Sequence, residues 1–324
     1  MKGIIRIVGI GLGVFFWLYS VGSAQPQNFP SKPVTVIVPA PPGGTADTSI
    51  RIIAHKLTEN LGQQIIVDNR PGAGGIIASQ LAIKAMPDGY TVLMNYTSHA
   101  INPSLYKKLP YDSIKDFTPI TLLGITPLVL VVHPSVPAKT MSEFIAYAKA
   151  NPGKLNYGSA AIGGASHLGG ELLKIKAGID IVHVPYKGGA AAVADLISGQ
   201  IQMGLDSLLV MQPHIKAAKV RALGVTNLRR TEISPDLPAI AETISNYEAN
   251  AWFGIMAPAA TPRDVVARLN TEFIKVLRKT EIKEKLTQQG FEAVGNSPEE
   301  YAIFLKKEME KWAEVVRIAG VKVE

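Results

Sequence analysis

Val38–Arg51 reads VPAPPGGTADTSIR, and the order of its residues decides the fold. A β-branched run, Val34–Pro39, enters Pro41-Pro42-Gly43-Gly44 and leaves through Thr45 and Asp47 into a helical pattern over Thr48–Leu61. Strand, glycine turn and helix in that order form the opening half of a βαβ unit, whose helix N-terminus offers free N–H groups to an anion. Thr45 or Asp47 is placed to cap that helix, and the glycines allow positive φ and close approach to the backbone. No Lys follows Gly44 before Lys56, so the loop is not a nucleotide P-loop.

Downstream, the same alternation repeats. Strands are expected at Gln64–Val67, Tyr90–Asn95 and Leu128–His133, with a helix over Ile76–Met86. A second series adds strands at Lys154–Gly158, Ile181–Pro185, Ile201–Leu205 and Val220–Thr226, and helices at Met141–Ala150, Ser166–Ala177 and Ala190–Ser198. Strands alternating with helices of this length build mostly parallel sheets covered by helices. A further strand, Ala251–Ala257, and two amphipathic helices, Pro262–Thr280 and Pro298–Ile318, end the chain and are expected to cover the first sheet. The series meet inside strand-like runs near Gly124–Pro127 and Val220–Asn227, not in a polar linker. The expectation is an α/β clamshell of two lobes joined by two extended hinge crossings. Residues 25–126 and 227–324 would form lobe 1, and residues 127–226 lobe 2.

The N-terminus carries Lys2 and Arg6, an apolar core over Ile7–Val21, and Val21-Gly22-Ser23-Ala24. That is the pattern of a secretory signal peptide, residues 1–24, cleaved after Ala24, and it implies export. Of 324 residues, 300 remain, enough for two domains. There is no Cys, which excludes disulfides, thiolate catalysis and zinc–sulfur sites. The formal charge of +7 falls to +5 without Lys2 and Arg6, and the remaining basic residues are scattered. With aromatic residues at 7% and no basic–aromatic interleaving, no nucleic acid partner is expected. Six scattered His without paired spacing argue against a metal site.

Other glycine and hydroxyl clusters follow strand ends. Arg70–Gly75, RPGAGG, fails the dinucleotide pattern at Ile77 and reads as a helix entry. Ser98 and His99 follow the third strand, where their side chains would face the cleft. Tyr157–Leu173, YGSAAIGGASHLGGELL, is the second lobe's counterpart of the opening loop. Gly164-Ala165-Ser166-His167-Leu168 looks like a nucleophile elbow, but Leu168 replaces its last glycine. Lys187 and Asp206 end later strands and are candidates for an anion and an ammonium respectively, or for capping. Open α/β sheets bind ligands at these C-terminal strand ends. None of the clusters completes a catalytic motif, so no enzyme activity and no cofactor are expected.

VTVIVPAPPGGTADTSIR, VDNRPGAGG, PDGYTVL, SHAINPSLYKKLPYD, YGSAAIGGASHLGGELLK, VPYKGGAAAVADLISGQIQMGLDSL, PHIKAAKVRALGVT and WFGIMAPAATP occur in that order. Together they resemble the periplasmic solute receptors of tripartite tricarboxylate transporters, the Bug-type family, over about residues 30–320. The resemblance implies a type II-like periplasmic binding protein fold and a small carboxylate ligand: a di- or tricarboxylate, an acidic amino acid or an aromatic carboxylate. It also implies inner-membrane transporter subunits as partners, with the receptor expected as a monomer. Carried over, the ligand contacts would be Pro42, Gly43, Gly44, Thr45, Asp47, Ser98 and His99 in the first lobe. In the second lobe they would be Ser159, Ala160, Gly163, Gly164, Ala165 and Ser166, with Lys187 and Asp206 nearby. A periplasmic sensor feeding a signalling partner and a secreted hydrolase are the alternatives.

Overall fold

The computed structural model describes residues 29–322. The leader expected over residues 1–24 lies outside them. In chain order the elements are β1 (Val34–Val38), α1 (Thr45–Leu61), β2 (Ile65–Asn69), α2 (Ile76–Ile83), β3 (Thr91–Tyr96), α3 (Ser98–Leu105) and β4 (Phe117–Thr126). Then come β5 (Leu128–Val132), α4 (Met141–Ala150), β6 (Asn156–Ser159), α5 (Ala165–Ala177), β7 (Val182–Pro185), α6 (Gly189–Ile197), β8 (Met203–Ser207), α7 (Leu208–Lys216) and β9 (Arg221–Val225). The chain closes with β10 (Ala251–Pro258), α8 (Arg263–Leu277), α9 (Thr280–Gln288), β11 (Glu292–Ala293) and α10 (Pro298–Ala319).

Two sheets form two lobes. The first has the order β11-β4-β10-β3-β1-β2, the second β7-β6-β8-β5-β9. In the first, β1 runs parallel to β2 and β3, while β10 is antiparallel to β3 and β4. In the second, β6 runs parallel to β7 and β8, and β5 is antiparallel to β8 and β9. The near-continuous burial of Val34–Val38 and Leu128–Val132 explains why these strands read as apolar runs without alternation: helices cover both faces.

One residue, Pro127, separates β4 in the first sheet from β5 in the second. The return path runs from β9 to β10, and Thr226 ties the two crossings together. Its N–H donates to the Leu128 carbonyl (2.9 Å), its hydroxyl accepts from the Leu128 N–H (2.9 Å), and that hydroxyl donates to Asn250 Oδ1 (2.7 Å). Short extended crossings bound in this way are suited to a hinge.

The C-terminal helices depart from expectation in two ways. The run expected as one helix through Thr280 breaks after Leu277, and α9 begins at Thr280. While α8 packs on α1 and β4, α10 packs on α3 and β4 of the first lobe and also on α5 of the second. It is anchored by a capping box, Ser297 with Glu300, and by Trp252 and Trp312, whose Nε1–H groups both donate to the buried Glu308 Oε2 at 2.7 and 2.9 Å. Helices α3 and α7 were not anticipated; each contains an internal proline, which obscures the helical pattern.

Candidate functional site

The opening loop and its counterpart have nearly the same backbone. Gly43 has φ +86°, and Gly44, the N-cap of α1, has φ −80° and ψ 172°. Gly163 has φ +76°, and Gly164, the N-cap of α5, has φ −83° and ψ 168°. In each loop the left-handed glycine donates its N–H four residues ahead. The Gly43 N–H reaches Asp47 Oδ2 at 2.9 Å, and the Gly163 N–H reaches His167 Nδ1 at 3.0 Å. No side chain caps either helix, so the leading N–H groups of α1 and α5 stay available to an external acceptor. Neither Thr45 nor Asp47 is the cap expected from the sequence. The extended glycine takes that position, and Asp47 bonds back to the turn.

Asp47 is 3% exposed and fully engaged within the loop. Besides the Gly43 N–H, it accepts from Arg51 Nε (2.9 Å) and Asn69 Nδ2 (2.9 Å). Asn69 also donates to the Ala40 carbonyl and accepts from Arg51 Nη2. Burial opposes the charge on Asp47, but the hydrogen bonds from Arg51, Gly43 and Asn69 outweigh it and hold the carboxyl below its ordinary pKa. Its role in the fold is to hold Gly43 and Gly44 in place.

His167 braces the second loop with a ring instead. It stacks on His183, with centroids 3.8 Å apart. Ser159 Oγ lies 2.7 Å from His183 Nε2 and 3.1 Å from the Ala161 carbonyl oxygen. One turn on, Glu171 accepts from Tyr157 OH (2.6 Å) and pairs with Lys174 (3.0 Å). Burial pushes both histidines down to about 4, aided for His167 by Lys174 and for His183 by the neighbouring His167. Both rings are therefore neutral at pH 7, and Nδ1 of His167 is free to accept. Gly163 faces the other lobe: a Cβ built there would collide with Leu105 Cδ1 of α3.

The remaining expected residues are distributed as follows. Pro42 and Thr45 line the opening loop, and Ala160, Ala165 and Ser166 line the second. Ser98 and His99 do not open into the cleft as expected. They begin α3 and are buried, His99 at 4% exposure, stacked on Tyr111 with Nε2 3.0 Å from the Ser113 carbonyl oxygen. Burial holds this ring near a pKa of about 4 as well. Lys187 is exposed, in the turn before α6. Asp206, at the end of β8, accepts the Ser207 N–H through Oδ1 at 2.7 Å. Gly75, φ +88°, caps α2, so RPGAGG is a helix entry.

Arg51, Asn69, His167 and His183 were not anticipated as parts of the site. The signal was there: GGTAD and GGASH place the brace at the same spacing from the glycine pair. Among the described residues no cluster of three or more His, Asp or Glu could hold a metal, and no helix is long and apolar enough to cross a membrane.

Known proteins share the sequence and the fold. A chain described as "UPF0065 protein in tcbD-tcbE intergenic region", from Pseudomonas sp. (strain P51), is 40% identical over 313 residues, covering 96% of this chain and 93% of its own. The structure of Rpa4515 from R. palustris with adipate is 36% identical with a TM-score of 0.81, covering 91% of this chain and all of that one. MatC from Rhodopseudomonas palustris with bound malate is 32% identical with a TM-score of 0.75, covering 89% and 100% respectively. The family model described as "Tripartite tricarboxylate transporter family receptor" matches residues 49–321. The two-lobed fold, the paired helix-entry loops and these relatives agree: the chain belongs to the tripartite tricarboxylate transporter receptor family.

Proposed function

We propose that the protein is a periplasmic receptor that closes its two lobes on a small carboxylate and delivers it to the membrane subunits of a tripartite-type transporter. The observation that carries this reading is the pair of matched loops, Gly43–Asp47 and Gly163–His167, each exposing uncapped helix N–H groups beside an extended glycine. Adipate and malate in the similar R. palustris structures support a carboxylate as the ligand class. Micromolar affinity requires about 8 kcal/mol. One helix terminus contributes roughly 0.3–1 kcal/mol and each charge-assisted hydrogen bond about 1.5–3, so donors from both lobes are needed together. Asp47 and His167 act as positioning residues behind the contacts, and Gly44, Thr45, Gly164, Ala165 and Ser166 supply them.

The test is a thermal-shift screen of carboxylates, amines and neutral sugars on the wild type and on Gly44→Val. Carboxylates should raise the melting temperature of the wild type. Gly44 has an ordinary φ, and a Cβ there would meet only the Pro41 carbonyl oxygen at 3.9 Å, so the variant should fold but lose the shift. A response to neutral sugars alone would overturn the reading.

A further inference from the structure

Among the carboxylates named so far around the two loops, Asp206 is the one without a side-chain partner among the described residues. Asp47 is held by Arg51 and Asn69, and Glu171 by Lys174 and Tyr157. Asp206 uses Oδ1 for the Ser207 N–H, and no salt bridge or hydrogen bond reaches Oδ2 among the described residues. Its position is not peripheral. β6 and β8 are parallel neighbours, paired at Tyr157–Met203 and Gly158–Gly204, so Ser159–Ala160 and Asp206 emerge at the same edge of the second sheet. The turn after β7 is drawn onto that edge by hydrogen bonds from the Tyr186 N–H to the Ser159 carbonyl and from the Gly188 N–H to the Ala160 carbonyl, both 3.0 Å. A Cβ built on Gly189 would lie 3.2 Å from Asp206 Oδ2 and 4.0 Å from the Ala160 Cβ. The free oxygen therefore sits against the glycine entry of α6, beside the loop assigned to the ligand.

A carboxylate in that place repels a second carboxylate and attracts a hydrogen-bond donor. We propose that Asp206 determines specificity: the preferred ligand is a small carboxylate that carries a donor at the end facing β8, a protonated amine before a hydroxyl. The inference rests on the carboxylate-receptor reading and names the ligand class within it. Two further features agree. Burial raises the pKa of Asp206, only partly offset by the Ser207 N–H, so its charged form is under-stabilised within the fold. Lys187, in the turn before α6, is exposed and forms no salt bridge with it. A charge-assisted bond from an ammonium to a part-buried carboxylate is stronger than one from a neutral hydroxyl, which sets the order.

The experiment is titration calorimetry of the mature chain with two matched sets: succinate, malate and aspartate, then glutarate, 2-hydroxyglutarate and glutamate. In at least one set the amine should bind at least tenfold tighter than the unsubstituted acid, with the hydroxy acid between. Asp206→Asn keeps the size and the Oδ1 acceptor, and should shrink that spread to under threefold by weakening the amine. If the wild type prefers the unsubstituted acids in both sets, or if Asp206→Asn retains the original order, Asp206 is structural and the proposal fails. The wild-type ranking decides even if the variant does not fold. If none of the six acids binds while another carboxylate raises the melting temperature in the thermal-shift screen, the proposal fails alone. If no carboxylate does either, the carboxylate reading itself fails, which separates the two failures.

Discussion

The two loops share one backbone and differ in what holds it. In the first lobe the brace is an anion, Asp47, with Arg51 one turn on and Asn69 across from β2. In the second it is a neutral ring, His167, stacked on His183, with Glu171 rather than a cation one turn on. The difference teaches that the N–H of a left-handed glycine needs an acceptor at this spacing, but not a charged one. It also means that the two halves of the proposed site should respond differently to substitution and to acid.

The largest contrast is expected at the left-handed glycines. A Cβ on Gly43 meets nothing within 4 Å, so Gly43→Ala should cost only the strain of a left-handed non-glycine residue, about 1–2 kcal/mol. Gly163→Ala adds a clash with Leu105 to the same strain, for a total of about 2–5 kcal/mol. Chemical denaturation of the two variants measures this. Equal losses would mean that α3 yields to the second loop and the contact between lobes is soft.

The braces come next. Asp47→Ala leaves the Gly43 N–H without its acceptor and Asn69 Nδ2 with the Ala40 carbonyl alone, at about 3 kcal/mol, with little added for Arg51 because that side chain is half exposed. His167→Ala removes one neutral hydrogen bond and a buried ring, at about 2 kcal/mol. His167→Asp would copy the first loop's acceptor but face Glu171, where the first loop has Arg51, so it should be less stable than the wild type at pH 7. A His167→Asp protein as stable as the wild type would show that the ion pattern around the braces is incidental.

Acid should separate the loops more gently. The folded pKa of His167 is about 4, below the ordinary 6.5, so the unfolded chain binds more protons as pH falls from about 6.5 toward 4. Stability is lost over that window, at about 1.4 kcal/mol per pH unit for each proton taken up on unfolding. Asp47 has a depressed carboxyl pKa, so its contribution stays intact over the same range and is lost only below about the ordinary carboxylate value. His99 and His183 share the histidine trend, so the diagnostic is a difference between proteins: His167→Gln should lose less stability than the wild type between pH 7 and 5. An identical slope would mean that His167 does not titrate on unfolding.

The smallest effect is expected at Lys187. It is exposed and outside both loops, so Lys187→Met should weaken carboxylate binding less than tenfold by calorimetry. A thousandfold loss would move the anion's anchor from the helix termini to a salt bridge and dissolve the equivalence of the two loops.

The alternation of β-branched runs with helical patterns was enough to read two α/β lobes, because strands buried on both faces and helices with one apolar stripe leave local signatures. The glycine pairs at 43–44 and 163–164 were legible as helix entries for the same local reason: turn chemistry depends on a few adjacent residues. Their conformations were less so. The sequence left open whether positive φ falls at Gly43 or Gly44, since either glycine permits it, and the structure gives it to Gly43.

What only the tertiary structure decided lies in contacts between residues far apart in the chain. Nothing local places Asn69 on Asp47, His183 on His167, or α10 across both lobes. His99 shows the same limit: a histidine after a strand end reads as a cleft residue, yet the packing of Tyr111 and Phe117 turns it into the core. Asp206 is the converse: the packing of three strand ends leaves its Oδ2 with no hydrogen bond or salt bridge among the described residues. Backbone preferences act over a few residues and are written in order along the chain. Whether a polar side chain is consumed within the fold or left for a ligand depends on which strands become neighbours, and that is settled when the sheets assemble.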